Sequence, residues 1–145
     1  MTVPGYRRGM TSPATTASQR ARSTALVLAG IADLIAICVF VAVGRRNHDE
    51  AGSVTGFLTT LWPFLVGAAF GWCITVVATG RRFAPTALVP AGVIVWVSTV
   101  VVGMILRVIS GQGTALSFVI VATIATGVLL LGWRAIAALV AARSR

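Results

Sequence analysis

Four long apolar stretches, each close to the length needed to cross a bilayer, decide what this chain can fold into. They cover about 24–44, 57–79, 88–109 and 114–133, and the charged residues sit in clumps between them. A hydrocarbon core of about 30 Å takes roughly 20 helical residues, so each run suffices for one crossing. Twelve basic and three acidic side chains among 145 residues cannot furnish the surface of a soluble domain, in which about a quarter of residues are charged. The expected fold class is all-α: a polytopic membrane protein, a four-transmembrane-helix bundle in the cell membrane, with the lipid bilayer as its first partner.

The segments between the runs set the expected boundaries. Residues 1–23 are rich in Thr, Ser, Pro and Gly and carry Arg7, Arg8, Arg20 and Arg22, the composition of a disordered basic tail. The transmembrane domain then occupies 24–142, and 143–145 form a short basic end. The first run, Thr24 to Gly44, has 21 residues, longer than the roughly 7 to 15 apolar residues of a cleaved signal peptide. In the second run Pro63 removes a hydrogen bond to Thr59, so that helix either starts near Trp62 or kinks there. Gly80, Arg81, Arg82 and Pro85 mark a turn before helix three, whose regular part is expected from Pro90. Ser110-Gly111-Gln112-Gly113 is short enough to make helices three and four antiparallel neighbours.

Orientation follows from the arginines, because cytoplasmic loops carry the excess of basic residues. Nine of them (Arg7, Arg8, Arg20, Arg22, Arg81, Arg82, Arg134, Arg143 and Arg145) fall on the side of the termini. Arg45, Arg46 and Arg107 fall on the other. Both termini are therefore expected in the cytoplasm, N-in and C-in. The net charge of +9 does not point to nucleic acid, since no basic stripe is interleaved with exposed aromatics.

Asp33 is the sharpest feature, because a carboxylate near the middle of a spanning helix is costly and is a functional hypothesis by default. No arginine falls within obvious reach; Arg107 is separated from it by some 10 Å of depth. At similar depth lie Trp72, Trp96, Thr99 and Thr123, which with Asp33 form a candidate membrane-embedded polar site. Gly92, Trp96, Thr99, Gly103 and Arg107 share one face of helix three, and Gly67, Gly71 and Thr75 share one of helix two. The Gly67–Gly71 step permits close helix approach. Two readings of Asp33 stay open. It is a structural pin hydrogen-bonded to Thr99 or a Trp N–H, or it is a protonatable relay whose charge cycles during transport.

A second candidate cluster, Arg45, His48, Trp62 and Arg107, gathers at the outer face. Snorkelling arginines and interfacial tryptophans account for much of it, yet Arg107 lies inside the apolar run. Cys38 and Cys73 sit in apolar runs on different helices and read as small hydrophobes. One His and three acids cannot assemble a His-rich metal site. No catalytic motif or cofactor-binding fingerprint occurs, so neither an enzyme nor a cofactor is expected.

Asp33, Gly44-Arg45-Arg46-Asn47-His48, Trp62-Pro63-Phe64, Gly71-Trp72, Trp96 with Thr99, Gly103 to Arg107 and Gly132-Trp133-Arg134 resemble a family of small membrane proteins found mainly in actinobacteria, domain of unknown function 3054. The resemblance covers Asp33 to Arg134 and implies a four-helix membrane protein; it brings no activity. The small multidrug resistance transporters are similar only in having four short helices and one acid in the first. The leading expectation is an uncharacterised membrane protein with a structural or interaction role. Its rival is a small proton-coupled transporter or channel, a homo-oligomer working through Asp33.

Overall fold

In a computed structural model, four helices form a ring in which α1 (Pro13–Arg46) lies beside α2 (Val54–Thr79) and α4 (Leu116–Arg143), and α3 (Val93–Ile109) closes the ring between α2 and α4. The structure describes residues 13–46, 53–80 and 83–144. The tail up to residue 12, His48 and the Arg81-Arg82 pair lie outside them. All four helices are long and apolar enough to cross a membrane, α3 together with the turn at Leu88–Gly92 that leads into it.

The outer surface supplies the strongest argument for lipid. Leu28, Val77, Ile109 and Leu116 are 60 %, 84 %, 75 % and 76 % exposed, and apolar side chains of this kind cover all four helices. Soluble proteins rarely expose contiguous apolar patches beyond a few hundred Å². The membrane is the solvent that makes such a surface stable.

Two boundaries differ from the sequence expectation. Residues 13–23, expected as disordered tail, are the first turns of α1, with Pro13 where a missing N–H costs nothing. The hydroxyls of Ser23 and Thr24 donate to the carbonyls of Gln19 and Arg20, within a run of Ala, Ser, Gln and Arg that tolerates helix. Helix α2 starts neither at Pro63 nor at Phe57 but at Val54, where the Ser53 side chain accepts from the Gly56 N–H at 3.1 Å. A side-chain N-cap satisfies an orphan donor, and α2 runs on through Pro63.

The entry to α3 is irregular. Leu88–Gly92 forms one wide turn, closed by the Gly92 N–H donating to the Ala87 carbonyl at 3.0 Å, with extended backbone at Val89 (φ −125, ψ 130) and a cis Val89–Pro90 bond. At the opposite end, Gly111 and Gly113 (φ 71 and 72) make the reversal into α4. Positive φ costs glycine little, which explains two glycines in so short a connection.

The core sits between the helices on the side of the α1–α2 and α3–α4 connections. Phe64, fully buried, meets Phe40 edge-on at 5.1 Å and Phe118 at 6.4 Å. A Cβ on Gly103 would come within 2.9 Å of the Phe64 ring, so that glycine makes room for it. Helices α2 and α3 approach closest: a Cβ on Gly67 or Gly71 would meet the α3 backbone at 2.9 or 2.8 Å. Reporter proteins fused after Asn47 and at the C-terminus are expected on opposite sides of the membrane; the same side for both would overturn the four-crossing arrangement.

Candidate functional site

Asp33 is 2 % exposed, and the structure corrects the expectation that no arginine reaches it. Arg134, 101 residues away on α4, lies against it as a fork. Nη1 donates to Oδ1 at 2.6 Å and Nη2 to Oδ2 at 2.8 Å. Two indoles complete the shell: Trp133 Nε1 donates to Oδ1 at 2.9 Å and Trp72 Nε1 to Oδ2 at 3.0 Å. An ionised carboxylate offers about four acceptor positions, and four donors meet this one.

Arg134 is held through its two Nη groups, while its buried Nε–H has no acceptor among the described residues. It is fully buried, its Nη1 also donates to the Leu130 carbonyl at 2.9 Å, and its guanidinium lies 4.4 Å from the Trp133 ring and 6.0 Å from the Trp72 ring. Gly92 opens the space for its stem, since a Cβ there would stand 2.7 Å from Arg134 Cδ. The irregular turn before α3 therefore has a task in this site. Isolated charges are expensive in hydrocarbon, whereas a bidentate pair with every carboxylate acceptor position met is the arrangement in which they persist.

The candidate polar site of the sequence divides into two. Asp33 and Trp72 come together. Trp96 Nε1 instead donates to the Thr123 carbonyl at 3.0 Å, and its ring packs on Gly127, which ties α3 to α4. The expected bond from Thr99 to Asp33 does not form. The Thr99 and Thr123 hydroxyls donate to Val95 and Val119 on their own helices, both at 2.7 Å. A threonine in a helix finds the carbonyl four residues back without any partner helix, so its presence at the right depth does not make it a ligand.

Trp133 and Arg134 are the residues that the sequence reading missed as site residues, because Arg134 passes for a surface charge at a helix end. The signal was present in the eight residues that follow it, Ala135 to Ala142, which are helix-compatible and almost wholly apolar. Helix α4 runs to Arg143, so Arg134 is interior.

At the other end, the outer-face cluster is partly assembled. Arg45 and Arg107 line one cavity of about 690 Å³ between α1 and α4. Trp62, 38 % exposed, lies on the surface outside that cavity.

The family described as "Protein of unknown function (DUF3054)" matches residues 30–137, about three quarters of the chain, and the chain belongs to that family. No curated protein and no solved structure matches it.

Proposed function

We propose, for this member of a family whose description names no activity, that the chain is a non-enzymatic structural or interaction protein of the cell membrane in which Asp33 fastens α1 to α4. One observation carries the reading: all four donors around Asp33 are fixed, and two belong to a guanidinium. A relay acid has to release its counter-charge and meet a proton or cation in turn. Protonating Asp33 would instead leave Arg134 as an unpaired charge in a place with 0 % exposure, a cost of several kcal/mol. That favours a structural pin over a cycling carrier.

The test uses purified protein in vesicles loaded with a pH-sensitive dye. Neither wild type nor Asp33→Asn is expected to dissipate an imposed proton gradient faster than protein-free vesicles, while the variant denatures earlier. A wild-type flux that vanishes in Asp33→Asn would overturn the proposal in favour of transport.

A further inference from the structure

The cavity at the end of the bundle away from the Asp33 pair is built differently from the rest of the interior. It lies between the C-terminal part of α1 and the start of α4, with Phe40, Val41, Phe118 and Val121 on its apolar wall and Arg45 and Arg107 on its charged one. Its volume of about 690 Å³ falls in the usual range of small-ligand sites, roughly 300–1,000 Å³. Val121 is 60 % exposed, so the cavity opens sideways on α4, beside the exposed Ser117 and next to the apolar, exposed Ile124 and Val128. That side opening is accessible from the lipid phase, while Gln112, Gly113 and Thr114 line the end nearest the α3–α4 connection.

Arg107 is the unusual wall. It is 8 % exposed and has no acidic partner among the described residues. Its Nη1 donates to Gln112 Oε1 at 2.9 Å, and its Nη2 donates to the Gln112 and Gly113 carbonyls, both at 3.3 Å. The guanidinium also lies 4.4 Å from the Phe118 ring. Arginine has five N–H groups; three make these bonds, and the buried Nε–H, like that of Arg134, has no acceptor among the described residues. A charge near a helix end ordinarily snorkels to water. This one is folded inward over the turn between α3 and α4 and meets only neutral oxygens. Arg45 stands on the same cavity, anchored on Thr60 at 3.4 Å, its guanidinium lying where a Cβ on Gly56 would come within 2.6 Å.

We propose that this cavity binds an anionic phospholipid, with the headgroup phosphodiester between Arg45 and Arg107 and an acyl chain against Phe40, Val41, Phe118 and Val121. Guanidinium forks match phosphate oxygens, and basic pockets between transmembrane helices are suited to anionic headgroups. The lateral opening and the apolar wall select a lipid over a soluble anion, because a free phosphate has no use for half of the surface.

The experiment measures retention of lipid on the full chain by native mass spectrometry, together with the thermal midpoint in detergent. The probes are phosphatidylglycerol, phosphatidylcholine with the same chains, and inorganic phosphate. Phosphatidylglycerol is expected to bind at least about tenfold more tightly than phosphatidylcholine and to raise the midpoint, with inorganic phosphate doing neither. Arg107→Gln and, separately, Arg45→Gln should each erase most of the preference. Arg45 is half-exposed, so its substitution keeps the test valid should Arg107→Gln disturb the bundle. Equal retention of the two lipids, or a preference that survives in folded Arg45→Gln, would overturn the proposal. Stabilisation by inorganic phosphate equal to that by phosphatidylglycerol would assign the site to a soluble anion instead.

Discussion

Asp33→Leu and Arg134→Met are each expected to destabilise the protein by about 3 to 5 kcal/mol, whereas the double substitution should cost far less than their sum. Each single change leaves one ion of the pair without its counter-charge. Asp33→Leu strands a guanidinium that is fully buried; Arg134→Met strands a carboxylate with only the Trp72 and Trp133 N–H groups to hold it. The double variant contains no buried ion. It still leaves two half-buried indoles without an acceptor, so full recovery is not expected. Unfolding followed by circular dichroism in one detergent would measure the cycle, and additive costs would mean that the pair contributes nothing as a pair.

The second large effect is expected where α2 meets α3. Gly67→Ala and Gly71→Ala should each cost about 1 to 3 kcal/mol, the range for overpacking a close contact, and Gly71→Leu should prevent the two helices from packing. A Cβ on Gly67 would stand 2.9 Å from Thr99 Cα, and one on Gly71 would stand 2.8 Å from Val95 Cα. These are backbone atoms, which cannot rotate aside as a side-chain tip can. The same substitution at Gly30 or Gly132, where nothing lies within 4 Å, should be neutral or slightly stabilising, since alanine favours helix by up to about 1 kcal/mol over glycine. Equal tolerance at all four positions would show that the close approach of α2 and α3 is not what holds them together.

The apolar helices and the buried ion pair between them were legible from the sequence to different degrees. Four apolar runs identify four crossings, since the requirement to satisfy backbone groups in hydrocarbon leaves a chain of this composition little else to do. The spacings of Gly67, Gly71 and Thr75 and of Gly92, Trp96, Thr99, Gly103 and Arg107 put these residues on inward faces, all of them buried except the half-buried Trp96, because helical geometry is local. Asp33 also declares itself by its cost.

What the sequence could not decide is which groups answer that cost. Hydropathy marks where a helix crosses, but the partner of Asp33 depends on how α1 and α4 are rotated and offset against one another. In the structure α4 continues to Arg143, which makes Arg134 interior, and Gly92 leaves the gap that its stem occupies. Thr99 and Thr123 had the right depth and the wrong direction, because their hydroxyls were already bonded within their own helices. So the sequence by itself determined four membrane helices with one acid at their centre. Only the tertiary structure decided that the acid is one half of an ion pair, since pairing is a matter of distance between helices, and composition carries no record of distance.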